Sequence, residues 1–278
     1  MESTQNTRMR SRGGYRYAVL TSLVFVAVYL LNYAVPLPES ETGYNSRLVF
    51  WAFYTLDAAA LFYIVRLHRF LPKAAAAAAA LGLVTGISRF ADTNLETGLI
   101  IGGTVCIVFY GASLMYEEYR IPDRVFGMGL PKALRSVLFG AAVGLPFAVE
   151  NLWYFFMQGT ARPQNFFLSA LRALNPGITE EVLFRFFLFA LCTHLLKGRV
   201  SERFYRVYTG IFLVVPHALL HLSDVFLQQG VGNALVMGLM MSVLFGLPMA
   251  ALFVKKNLQA AVAFHWIIDF LRAFFGYY

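Results

Sequence analysis

Apolar residues fall into nine long stretches separated by short polar ones, roughly residues 17–36, 48–65, 74–88, 98–116, 134–157, 176–196, 207–222, 232–254 and 257–275. A hydrocarbon core about 30 Å thick is crossed by about 20 helical residues. The pattern predicts an all-α fold, a polytopic transmembrane helix bundle of eight or nine spans. The third stretch is short and opens on seven alanines, Ala74 to Ala80. Small residues there predict close packing against another helix. Residues 1–16 are polar and basic and predict an unstructured tail.

Composition excludes a large soluble domain. Of the 278 residues, 59% are hydrophobic and 14% charged, with a mean hydropathy of +0.61. That charged share is about half the usual one for a soluble domain. The net charge of +8 comes from residues between the spans, which points to anionic membrane lipid as a partner and away from nucleic acid. Cys106 and Cys192 both fall inside apolar stretches and read as small core residues. The first apolar stretch is too long for a signal-peptide core and reads as a signal anchor.

Basic residues then orient the chain. With a cytoplasmic N-terminus, 17 Lys and Arg fall in inside segments and 5 in outside ones, Arg185 lying within a span. The positive-inside rule favours nine spans in a multi-pass protein of the cell membrane. The chain divides near residue 125. Residues 1–125 form a four-span membrane region with few reactive groups, Asp57 and the loop residue His68 among them. Residues 126–278 carry ionisable groups inside apolar stretches, and such groups mark functional sites by default.

The richest stretch is Asn175-Pro-Gly-Ile-Thr-Glu-Glu-Val-Leu-Phe-Arg185. Asn175 is suited to cap a helix and Pro176 to its first turn. Glu181 and Arg185 lie at i,i+4 and can pair, while Glu180 points about 100° away. His217 and His221 share a spacing of four, as do His265 and Asp269, so each pair is predicted on one helix face. Glu150 lies two-thirds of the way outward in its span, beside Asn151. It reads equally as a partner to the site or as a packing residue. His194 lies near the inner end of its helix and outside the group. Trp153–Phe156 reads as an interface belt.

Three motifs in order, Glu180-Glu181-x-x-x-Arg185, a histidine at 221 and His265-x-x-x-Asp269, resemble the CAAX protease and bacteriocin-processing family. These are intramembrane glutamic proteases related to type II CAAX prenyl endopeptidases. Residues 130–275 carry the resemblance. His217 stands where the second motif usually has phenylalanine, and Phe186 where many members have glycine, a change expected to tighten the cavity. The resemblance implies an endopeptidase domain over 126–278 acting on a membrane-anchored or lipidated peptide or protein. It implies that Glu180, as general base, and His221 hold a water, and that His265 and residue 269 form the oxyanion site. Ionised Asp269 cannot donate, so it is expected to orient and charge His265. Glu181, Arg185, His217 and Glu150 are supporting residues. No cofactor is implied.

Other readings stay open. His217, His221 and Glu180 or His265 suit zinc, although no glutamate follows His217 as in the usual zinc-protease helix. Buried Glu, His and Asp also mark transporters, and the same helices would serve a non-catalytic scaffold.

Overall fold

Every element among the described residues is helical. The computed structural model describes residues 2–35, 44–122, 125, 129–157, 159 and 162–277. The helices are α1 (Glu2–Ala34), α2 (Tyr44–Leu67), α3 (Pro72–Phe90), α4 (Leu95–Glu118), α5 (Leu130–Phe156), α6 (Phe166–Arg172) and α7 (Leu174–Glu181). A π-helical segment, Val182–Phe187, joins α7 to α8 (Leu188–Leu196). α9 (Glu202–Leu219), α10 (Ser223–Met241), a second π segment (Ser242–Gly246), α11 (Leu247–Lys255) and α12 (Leu258–Phe274) complete the bundle. The basic tail expected to lack structure is helical from Glu2, as the first turns of α1.

Five helices are long and apolar enough to cross a membrane by length and composition: Gly13–Ala34, Ser46–Leu67, Leu95–Glu118, Leu130–Phe156 and Ser223–Lys255. The chain is an integral membrane protein. The other four predicted spans are also helical. α3, α9 and α12 are short, with 19, 18 and 17 residues, and the stretch from α7 to α8 carries Glu180, Glu181 and Arg185.

Small residues set the closest helix contacts. On α3, the face carrying Ala74, Ala78, Gly82 and Thr85 is buried. Gly82 and Gly86 face Gly102 and Gly98 of α4 so closely that a Cβ on Gly102 would lie 2.5 Å from the Gly82 carbonyl oxygen. This is the small-residue seam that lets two backbones approach without side chains between them. α5 uses the same device, with Gly140, Gly144 and Ala148 buried and the first two set against Ala260 and Phe264 of α12.

The first four helices share one apolar core with the rest. Phe186 stacks on Phe109 and Tyr116 of α4, with ring centroids 5.0 and 4.5 Å apart, and is 2% exposed. It therefore packs the π segment against α4 and does not narrow a cavity.

The helix ends sort onto two sides. The starts of α2, α4 and α7 and the ends of α3, α6 and α12 border one cavity of about 320 Å³. On the other side Arg69 pairs with Glu118 at 2.8 Å, and Arg199 lies over Tyr17 with its guanidinium carbon 5.4 Å from the ring centre.

Gly102→Val is expected to destabilise the protein in detergent by about 1–3 kcal/mol, because overpacking meets backbone rather than a movable side chain. Gly103→Ala, one residue on with open space around its Cβ, is the control. Equal unfolding midpoints for the two variants would refute the seam.

Candidate active site

Glu180 is delivered by a broken helix. The sequence predicts a start capped by Asn175, but α6 runs up to Arg172 and α7 begins at Leu174, with Ala173 between them. Asn165 is the residue that caps, its side chain accepting from the Leu168 amide at 3.1 Å. The break follows from Pro176, which has no N–H for the Arg172 carbonyl. Ser88 of α3 inserts its hydroxyl into the gap. It donates to the Leu171 carbonyl at 2.6 Å and accepts from the Asn175 amide at 3.0 Å. A buried side chain thus replaces one rung of the helix ladder, a recognised cause of kinks. The Asn175 side chain instead accepts from Thr179 at 3.2 Å.

Arg185 follows in the π segment and is completely buried, as is Glu181. Its Nη1 lies 3.1 Å from Glu181 Oε1, so the predicted pair forms. Its Nη2 lies 2.9 Å from His217 Nδ1 and 3.4 Å from Met249 Sδ. A guanidinium only donates, so His217 Nδ1 must accept. In a neutral ring the proton then sits on Nε2, which donates to Glu180 Oε2 in a short hydrogen bond.

His265 links the other carboxylates. Its Nδ1 is 3.0 Å from Glu181 Oε1, and its Nε2 is 3.2 Å from Asp269 Oδ2 and 3.7 Å from Glu180 Oε2. Both nitrogens face carboxylate oxygens, and a doubly protonated ring satisfies both. Asp269 Oδ1 in turn takes Arg272 Nη2 at 2.9 Å. The contacts run Glu180–His217–Arg185–Glu181–His265–Asp269–Arg272; the 3.7 Å approach of His265 to Glu180 closes the first five into a ring, which Asp269 and Arg272 extend. Three carboxylates face two guanidiniums there, so a single imidazolium balances the charge.

Sequence position and place in space do not always agree. His217 and His221 are not on one helix face: α9 ends at Leu219, and His221 lies in the tight turn before α10, its amide bonded to the Ala218 carbonyl at 3.3 Å. Its ring meets that of His217 edge-on at 5.6 Å, and His217 Nε2 reaches Glu180 Oε2. Reading the second motif one turn earlier puts Leu213 at its phenylalanine position and His217 at its histidine. Glu150 is exposed on α5 and is not brought to the ring. His194 stacks on Tyr119 at 3.8 Å, away from the group as expected. Arg272, which the sequence reading treats only as an outside charge, extends the ring through Asp269. Its spacing of three from Asp269 is the signal for that.

Residues 162–271 match the family described as Type II CAAX prenyl endopeptidase Rce1-like. Over this part the chain resembles the CAAX protease family. The CAAX protease match contains the whole ring and its extension except Arg272 and leaves α1 to α5 outside. No curated protein and no solved structure matches the chain.

Removing Arg185 takes the permanent cation from buried Glu181 and leaves it only His265, and breaking such a pair costs about 3–5 kcal/mol. Arg185→Gln is therefore expected to lower the unfolding midpoint sharply. Adding Glu181→Gln is expected to recover part of the loss. Additive losses in the double variant would show that the two side chains do not depend on each other.

Proposed function

We propose that this CAAX-protease-type membrane protein is an endopeptidase that hydrolyses a peptide bond with a water activated by Glu180. The observation that carries the proposal is the difference between the paired carboxylates. Glu181 has no exposed surface, whereas the Glu180 side chain is 16% exposed and lines the cavity with Asp269 and Arg272. A water at Glu180 gives up a proton and attacks the carbonyl carbon, and Glu180 passes that proton to the leaving nitrogen. His265, its Nε2 turned toward both Glu180 and Asp269, supplies a donor to the oxyanion, while Asp269 orients it. His217 holds the Glu180 carboxylate through Nε2–H. This is a positioning role, distinct from the water-holding role that the family resemblance gives His221.

The donor set argues for a metal-free site. Oxygen and nitrogen atoms of Glu180, His217 and His265 lie within 4.8 Å of one another, close enough to invite a metal. A zinc ligated by His217 Nε2 would require the proton on Nδ1, pointing at the Arg185 donor 2.9 Å away. Metal-bound histidines normally turn that proton toward an acceptor.

The proposed substrate is a membrane-associated peptide, lipidated or exported. An almost wholly apolar cavity of about 230 Å³, lined by Leu20, Val24, Leu48, Phe184, Phe212 and Leu220, lies on the Phe184 side of His217 and suits hydrocarbon. Charge supports a cell-membrane protein with a cytoplasmic N-terminus, because the side opposite the Glu180 cavity carries Arg69 and Arg199 with the start of α1. The site then opens on the outer side.

Cleavage of a peptide panel by purified protein is expected to resist chelator and to proceed without bound zinc. It is expected to fall at least about 10²-fold in Glu180→Gln and His265→Ala. Asp269→Asn retains more activity than His265→Ala, and His217→Ala loses more than His221→Ala. Chelator-sensitive cleavage with stoichiometric zinc would transfer the chemistry to a metal, and full activity in Glu180→Gln would end the proposal.

In intact cells, a cysteine placed at Ser46 is expected to react with an impermeant maleimide, and one at Arg69 is not. The reverse pattern would invert the orientation.

A further inference from the structure

Ser88 is fully buried near the end of α3, on the helix face that also carries Gly82 and Thr85. A hydroxyl inside a helix can bond back to its own backbone, as Thr85 does by donating to the Leu81 carbonyl at 2.9 Å. Ser88 instead reaches across to another element, donating to the Leu171 carbonyl at 2.6 Å and accepting from the Asn175 amide at 3.0 Å. A regular helix would join those two groups to each other, since they stand at i and i+4. The same hydroxyl comes within 3.3 Å of the Arg172 carbonyl, the acceptor that Pro176 leaves without an N–H. One side chain from α3 therefore fills the break between α6 and α7.

A second contact ties the same helix ends. Just past α3, Asp92 Oδ1 lies 3.1 Å from Arg172 Nε at the end of α6. From Asn175 to Glu180, α7 runs without interruption for five residues, or about 7–8 Å. The direction in which α7 leaves the break thus decides where the Glu180 carboxylate lies against His217 and His265. Among the described residues, Asn175 lines the cavity that reaches Glu180 and Ser88 does not, so Ser88 bears on the chemistry only through α7. Its helix lies outside the segment that matches the protease family.

We infer that Ser88 is a positioning residue for Glu180: its hydroxyl holds the break in one geometry and so aims α7, and with it the general base, at the cavity. This rests on the endopeptidase reading above. A misplacement of about 1 Å at a reacting group costs about 10²-fold in rate, so a single hydrogen-bonding atom behind the helix is enough to govern turnover. The helix pair α3–α4 thereby acts on the reaction without contributing a group to it.

The test compares purified Ser88→Ala with Thr85→Ala, which removes a buried hydroxyl one turn earlier that bonds within α3. In Ser88→Ala, kcat is expected to fall about 10–10²-fold while KM stays within about threefold. The Asn175 amide, its acceptor gone, is expected to exchange with deuterium about tenfold faster. Thr85→Ala is expected to leave both near the wild-type values. Adding Pro176→Ala to Ser88→Ala separates aiming from stability. The restored N–H and the loss of the ring let α6 and α7 close into one regular helix, so amide protection is expected to return. Turnover is expected to stay low, because a straightened helix carries Glu180 in another direction. If Ser88→Ala alone does not fold, the double variant carries the test. Recovery of kcat together with protection would show that the hydroxyl only satisfies the backbone, and would overturn the inference. So would an unchanged kcat in Ser88→Ala, or an equal fall in Thr85→Ala; each of these leaves the endopeptidase standing. A wild type that cleaves no peptide removes the endopeptidase reading and this role with it.

Discussion

A guanidinium with no exposed surface sits inside an apolar bundle, and the arrangement of the site depends on it. Arg185 cannot lose its charge and cannot accept a hydrogen bond. Burying it is costly unless its surroundings provide a counter-charge and an acceptor, and the fold provides the Glu181 carboxylate and His217 Nδ1. Each answer has a consequence one step further out. Because His217 accepts on Nδ1, its proton is on Nε2 and is directed at Glu180. Because Glu181 serves Arg185, it is held where it also receives His265. A single buried cation therefore sets one histidine's tautomer and separates two adjacent glutamates into a structural one and an accessible one.

The second constraint is the break between α6 and α7. A continuous helix through residues 166–196 would place its polar groups by regular rotation alone. Pro176 removes one rung and Ser88 replaces it from α3, so the start of α7 is tied to a helix outside the matched segment. Trp266 adds a tie from the other flank, its indole N–H donating to the Ala170 carbonyl at 2.9 Å. Glu180 is thus held from both sides by elements distant in sequence. Then the π segment begins, and such wide turns recur where a helix carries functional side chains. The early helices are more than a platform in this respect, since Ser88 sets the geometry of the turn that presents the carboxylate.

Local chemistry was legible in the sequence wherever the determining spacing was short. The apolar stretches predict the helices, and the spacing of Glu181 and Arg185 predicts their pair, because both depend on residues within a turn or two. The alanine-rich third stretch predicts a small-residue seam, and Gly82 and Gly102 form it. What failed depended on partners far away in the chain. Asn175 has the composition of a cap, yet its amide is used by a serine 87 residues earlier. His221 looks equivalent to His217 by periodicity, but α9 stops two residues short of it. No local rule shows where a helix ends when the following turn closes through successive i→i+3 bonds, as at Leu220, His221 and Leu222. Depth alone leaves Glu150 equally a partner to the site or a packing residue, because depth does not report which way a helix faces.

Arg272 resolves a difficulty that the sequence leaves standing. An ionised aspartate next to an oxyanion site would oppose the charge that develops there. Here Asp269 lies between His265 Nε2 and Arg272 Nη2, with one oxygen turned to each. Its negative charge is matched by a permanent cation on the same helix, three residues on. The carboxylate can then fix the imidazole without presenting a bare charge to the cavity. An asparagine at 269 would have no need of that arginine, and the arginine would have no carboxylate to hold it. The two residues are therefore best read as one unit, in which the cation that tempers Asp269 also borders the cavity that reaches Glu180.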